Sequence, residues 1–297
     1  MPEARDGRPG LRAIALTVAA MLAFAANSLL CRMALQHGGI DAASFGSIRL
    51  VSGALVLMLV VRLRSSQAPA GRADWLAAAM LFAYVAFFSF AYLSLSAGTG
   101  ALVLFGAVQL TMLGAGLRAG EMFGPVAWSG FVLAVAGLVY LVSPGVTAPP
   151  PLGAALMAVA GVAWGVYSLR GRGVADPLAA TARNFVRAAP MALLLSALLA
   201  GTGSAHADAA GIALAVASGA LTSGIGYVIW YAALPWLSAM RAATVQLSVP
   251  LIAAFGGVIF LSEAITPRLA FASVAILGGI ALVLMGKARA AKTQGSS

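Results

Sequence analysis

The chain is 297 residues long, 62% hydrophobic and only 9% charged, against roughly 25% charged in ordinary globular domains. A soluble protein of this size cannot hide so much apolar surface, so most of the chain is expected to be solvated by lipid. The net charge of +10 is spread as short basic clusters between long apolar stretches, which excludes a basic face for nucleic acid and leaves the bilayer as the macroscopic partner.

A membrane-spanning helix takes about 20 mainly apolar residues. The first such run covers residues 11–30 and ends before Cys31, the single cysteine of the chain, which rules out an internal disulfide or a cysteine cluster. Leu30 stands where a lipidated signal peptide wants a small residue, and more spans follow, so this segment reads as a retained helix. The second run, 42–61, opens behind Asp41 and carries Arg49 about 12 Å into the membrane at 1.5 Å per residue. Runs at 74–97 and 99–117 are divided only by Ser96–Gly100, and 123–142 closes the first half. The second half holds 152–169, 178–199 with Arg183, Arg187 and Pro190, 209–234, 237–260 with Pro250, and 268–286. Pro235–Ser238 is the thin divide between the eighth and ninth. Merging one such pair would leave nine spans; the repeat described next requires ten.

Alternating the connections between two sides puts Arg5, Arg8, Arg12, Arg62, Arg64, Arg72, Arg118, Arg170, Arg172, Arg241, Lys287, Arg289 and Lys292 on the side of the N-terminus. Only Arg32 and Arg268 fall on the other side. Positive charge stays cytoplasmic, so both termini are expected in the cytoplasm. Shifted by 142 residues, Glu121 falls on Glu263 and Gly137 on Gly279. Shifted by 140, residues 23–29 (AFAANSL) overlie 163–169 (AWGVYSL). The chain therefore reads as two five-helix repeats, 1–148 and 149–297, forming one all-α integral membrane unit. Five is odd, so the second copy is inverted, the design that lets a carrier open alternately to each side.

Several residues resemble those of a known family. They are Ala-Trp-Gly-Val-Tyr-Ser at 163–168, the Asp41/Arg49 and Asp176/Arg183 openings of spans two and seven, and the Tyr-x-x-Leu then Ser-Ala that end spans three and eight (Tyr92 to Ala97, Tyr231 to Ala239). Gly120-Glu121 and Ser262-Glu263 precede spans five and ten. Together the chain is similar over its whole length to the drug/metabolite transporter superfamily, in its ten-helix branch with duplicated EamA-type repeats. The resemblance implies a multi-pass carrier of the bacterial inner membrane, most like exporters of aromatic and neutral amino acids, with a small-molecule substrate and no cofactor.

Ionisable and polar groups inside spans are candidates for function. Every carboxylate in the sequence falls at a helix end or in a loop, and His37 and His206 lie in loops, so proton coupling through an embedded carboxylate is not expected. Nor do paired His, Asp or Ser groups at one face suggest an enzyme. Arg49 either attracts a substrate carboxylate or pairs with helix-end carbonyls or Asp41, while Arg183 and Arg187 lie near enough to an end to snorkel. Trp164, about 18 Å into its span, either forms an aromatic wall or packs between helices. Asn27, Gln109, Ser223 and Gln246 must face protein or a wet cavity, and Gln109 and Gln246 occupy corresponding spans. Tyr84, Tyr92 and Tyr227 would complete a lining with their phenols. Pro190 and Pro250 interrupt spans seven and nine as kinks or hinges. Ten helices can surround a cavity unaided, so a monomer is expected.

Overall fold

The computed structural model describes residues 10–64, 73–120, 122, 124–237 and 239–294. Glu121, half of the glutamate pair in the repeat, and Arg5, Arg8 and Arg72 lie outside these. The carboxylates at helix ends do a definite local job. Asp41, Asp74, Asp176 and Asp208 each accept a hydrogen bond from the backbone N–H three residues on, at the starts of α2 (Ala42–Leu63), α3 (Trp75–Ala91), α7 (Pro177–Ala200) and α8 (Ala209–Val216). Each cap satisfies a donor that the helix cannot, where lipid would offer no partner. α1 (Leu11–Gln36) precedes them, and Ser96 caps α4 (Ala97–Arg118). Proline at the first helical position, where no N–H is needed, begins α5 (Pro125–Val142) and α6 (Pro151–Arg170).

The eighth span is not uniform. α8 passes into a π-helix over Ala217–Ile225, then α9 (Gly226–Ala233) and a 3₁₀ turn at Leu234–Trp236. The ninth is α10 (Ala239–Gln246) and α11 (Ser248–Leu261), broken at Leu247. Pro250 supplies the reason: it has no N–H to meet the carbonyl of Gln246, four residues earlier. At Pro190 the helix runs on unbroken. α12 (Pro267–Gln294) closes the fold. Among the described residues nine helical stretches are long and apolar enough to cross a membrane. α3 is the tenth, its 17 residues spanning about 26 Å at 1.5 Å per residue. It stops at Ala91, short of the expected end at 97, because Tyr92–Leu95 form tight turns before Ser96 restarts the chain as α4.

Small residues fill the interior, with Ala20, Ala25, Ala78, Ala101, Ala182 and Ala253 fully or almost fully buried, so backbones approach closely. Leu55, Leu59, Leu198, Ile259 and Phe271 point outward, as a lipid-facing belt requires. The helices pair in a definite pattern. α5 packs along α12, α2 along α7, and α4 along α11. α3 lies against α6 and α7, α6 also against α4, and α1 against α11 and the π-helix–α9 stretch, which in turn meets α2.

The two ends differ. At the end away from the termini, Asp41 N–H donates to His206 O (2.9 Å) and Asp208 N–H to Gly39 O (2.7 Å), while the His206 N–H reaches the Asp41 carboxylate at 3.1 Å. Burial raises the Asp41 pKa, but the Ser44 hydroxyl and the backbone N–H groups of Ser44, His206 and Ala43 outweigh it and hold the carboxyl below 3.8. Nearby, Arg32 pairs with Glu263 at 3.3 Å and donates to the carbonyls of Tyr92 and Leu93. Glu263 also accepts from Ala97 N–H at 2.8 Å. Four elements thus converge on one ion pair: α1, the α3–α4 turn, and both α11 and α12 through their connecting loop.

Candidate functional site

A cavity of about 660 Å³ runs from the termini side into the bundle, a size typical of small-molecule sites. α1, α3, α4, α6, α7, α9 and α10 all contribute to its walls, and among the described residues α5 and α12 do not. One wall is aromatic. The Trp164 ring lies 4.7 Å from Tyr84, 5.2 Å from Tyr167 and 5.9 Å from Tyr227 between centroids. Tyr227 stacks on Tyr231 at 6.1 Å and 21°, and Phe24 tilts against Tyr227. A ring or apolar chain would find here the offset contacts that aromatic groups favour.

The closed end of the cavity is polar. The Asn27 carbonyl oxygen accepts from Ser218 (2.9 Å), Thr222 (2.6 Å) and Ser223 (3.3 Å). All three hydroxyls come from the π-helix, whose wider turn sets them beside α1. Arg49, 2% exposed, reaches the same network. Its Nε donates to Ser223 Oγ (3.2 Å) and its Nη2 to the Tyr84 hydroxyl (3.1 Å). Nη1 finds no hydrogen-bond partner among the described residues. The guanidinium sits over the rings of Tyr84 and Phe88, 5.3 and 5.0 Å from their centroids. Gly219 makes this approach feasible, because a side chain there would collide with the Arg49 backbone.

At the mouth, Arg170 binds Asp74 through its Nε at 2.8 Å. Burial raises the Asp74 pKa, but Arg170 and the backbone N–H groups of Ala77 and Leu76 together outweigh it and hold it below 3.8. Arg172, Arg183 and Arg187 also line the opening, and Arg187 lies over the Trp75 ring at 5.8 Å. Thr181 bridges the side wall, meeting the Tyr231 hydroxyl at 2.8 Å and accepting from Tyr167 at 3.4 Å.

Of the residues expected from sequence, Trp164, Gln246, Gln109, Asn27, Tyr227 and Tyr84 come together around this one cavity. Arg49 and Ser223 lie behind its lining, joined to it through Tyr84 and Asn27. Tyr92 lies further toward the sealed end, its hydroxyl donating to Ala97 O at 3.2 Å and its ring edge-on to Phe88. Arg49 pairs with neither Asp41 nor a helix-end carbonyl. Ser218, Thr222 and Thr181 were not anticipated. The one signal for the first two is the run Ser-Gly-Ala-Leu-Thr-Ser-Gly-Ile-Gly at 218–226, unusually polar and small for mid-membrane.

The EamA-like transporter family model matches residues 151–285. An uncharacterized protein of Pseudomonas aeruginosa is 54% identical over 288 residues, covering 97% of this chain and all of the relative. This chain belongs to the EamA-like transporter family. The fold agrees: a solved crystal structure superposes with a TM-score of 0.65 over 93% of this chain and 98% of its own, at 21% identity. An EamA-like protein is a membrane transporter of small molecules and not an enzyme, and the 660 Å³ cavity is where such a molecule would fit.

Proposed function

We propose that this EamA-like transporter exports aromatic or neutral amino acids, or related small metabolites, from bacterial cytoplasm by alternating access. The observation that carries this reading is a cavity with an aromatic wall that opens on the termini side and is sealed on the other. Trp164, Tyr84 and Tyr227 take the apolar body of the substrate, and Gln109, Gln246 and Asn27 its polar atoms. Basic residues gather on the termini side, which supports cytoplasmic termini in the inner membrane.

The helix pairings support two inverted repeats, about 1–148 and 149–297. Exchanging each span of one half for its counterpart turns α3–α6 into α1–α8/α9, α4–α6 into α1–α11, and α2–α8 into α3–α7, all of which are formed. The exchange fails where α4 meets α1 and α12. The counterparts, α10–α11 with α6 and with α5, have no comparable contact among the described residues, and the cavity lies between α6 and α10. That asymmetry is what a carrier caught open to one side would show. Among the described residues no carboxylate faces the middle of the bundle, which supports flux down a substrate gradient without an embedded proton carrier. One protomer encloses the cavity by itself, so a monomer suffices.

The test is flux of radiolabelled amino acids in liposomes holding the purified protein, alongside Trp164→Ala. Saturable flux, strongest for apolar side chains, reduced at least about tenfold in the variant and unaffected by an imposed pH gradient is the expected result. Absence of flux for every amino acid would overturn the amino-acid reading. The breadth and apolar lining of the cavity then favour a second reading, a broad-specificity drug or metabolite transporter on the same scaffold.

A further inference from the structure

The hydrogens at the closed end of the cavity all point one way. Arg49 can only donate, so Ser223 Oγ must accept from its Nε, and the Ser223 hydrogen is free to go to Asn27 Oδ1. That oxygen also receives Ser218 and Thr222 and faces the π-helix. The Asn27 NH₂ group, two donors, is then what the residue offers to the cavity it lines. The same holds along the other branch. Tyr84 accepts from Arg49 Nη2, so its own O–H is directed elsewhere, and the residue lines the cavity. Two chains that begin at one buried cation end in donor hydrogens on lining residues.

No acidic group among the described residues balances that cation. Asp41, Asp74, Asp176 and Asp208 are occupied as helix caps, and Glu263 is held by Arg32 at the sealed end. A buried guanidinium without counter-charge is costly, and Arg49 keeps one N–H without a partner. The lining beyond adds Arg172, Arg183 and Arg187, against a single carboxylate, Asp74, already bound by Arg170. The faces of Tyr84 and Phe88 are turned to Arg49.

We propose that the site selects an anion: an aromatic or apolar carboxylate without a free amine, in preference to the zwitterionic amino acid of the same shape. This rests on the carrier reading and, within it, moves the preferred substrate from the amino acid itself to the related metabolites, carboxylates whose amine is missing or acylated. The carboxylate takes its hydrogen bonds from Tyr84 O–H and the Asn27 amide. Arg49 is a positioning residue, which orients both donors and supplies the charge. An ammonium group would meet these same donors and find no carboxylate beside them.

Three probes with the same ring separate the possibilities: 3-phenylpropionate, phenylalanine and phenethylamine. Each is tested as a stabiliser of the purified full-length protein in thermal melts, and as a competitor of flux in phosphatidylethanolamine–phosphatidylglycerol vesicles. The expected order is 3-phenylpropionate ahead of phenylalanine by about tenfold or more, as charge-assisted hydrogen bonds allow, with phenethylamine last. Arg49→Gln brings the first two within about twofold of each other. Tyr84→Phe, which leaves the buried charge in place, reduces the ratio likewise and carries the test if Arg49→Gln does not fold. Phenylalanine equal to or better than 3-phenylpropionate, no stabilisation by 3-phenylpropionate, or a ratio unchanged in Tyr84→Phe overturns the proposal. Failure of the carrier reading looks different: the binding order holds and no probe or amino acid crosses the vesicle membrane.

Discussion

Asn27 shows how a residue's surroundings decide what it can do. Its amide sits at 6% exposure in a membrane interior where an unpaired polar atom is expensive. Three hydroxyls from the π-helix satisfy its oxygen. Replacing it with alanine leaves those hydroxyls without their acceptor, and we expect a loss of about 1–3 kcal/mol of stability, read as a lower melting temperature in detergent. Asn27→Asp has the opposite consequence. A carboxylate there keeps all three hydroxyl partners and adds a counter-charge next to Arg49, so the protein should melt higher than Asn27→Ala. The anion-to-zwitterion ratio should fall toward one in the same variant. Asn27 could be named from sequence because an amide in mid-membrane demands a partner. The partners could not be named, since Ser218 and Ser223 lie 191 and 196 residues away and serines are common in such helices.

At the scale of the element, hydrophobic runs located most spans to within a few residues, although α1 continues past the expected end at residue 30 to Gln36, and the carboxylates expected at helix ends are there as caps. Two features escaped that reading. α3 ends at Ala91 although the sequence stays apolar through Leu95, because the Tyr92–Leu95 turns are made of the same residue types as the helix. The π-helix at Ala217–Ile225 is invisible for a related reason: one extra residue per turn alters hydrogen bonding without altering composition. The end of α11 is more legible in hindsight. Ser262 adopts φ 53°, a left-handed turn that commonly ends helices, and it brings Glu263 back toward Arg32 and Ala97. Glu263→Gln removes the charge from this four-element junction while keeping its shape. Arg32 is then left part-buried with only carbonyl partners. We expect a stability loss of about 1–3 kcal/mol and a shift in populations toward states with this end open, measurable as faster exchange of labelled substrate across vesicles. An unchanged melting temperature and rate would mean the ion pair holds nothing shut.

For the whole molecule, the interior divides into two parts with different work. α5 and α12 pack against each other through Gly130 and Gly279, where an added side chain would strike the facing backbone, and they take no part in the cavity. The remaining spans carry the site and the two ends. That division was not legible, although several residues that line the cavity could be named because polar and aromatic groups inside a span stand out. Which end stands open could not be read, because the order and length of the spans are the same in either state. It was decided by a handful of contacts: Asp41 with His206, Asp208 with Gly39, and Arg32 with Glu263 seal one side, and the cavity mouth, bridged by Arg170 and Asp74, lies on the other.

The single cysteine turns this asymmetry into a built-in probe. Cys31 is fully buried, one residue from the arginine that holds the sealed end. A membrane-impermeant maleimide added from the face opposite the termini should therefore label the unmodified protein slowly. If the molecule cycles, substrate should change the labelling rate by several-fold, and Glu263→Gln should label fastest of all. A rate indifferent to substrate, mutation and the face of addition would describe a chamber with one permanent door. No engineered label is needed to tell the two apart.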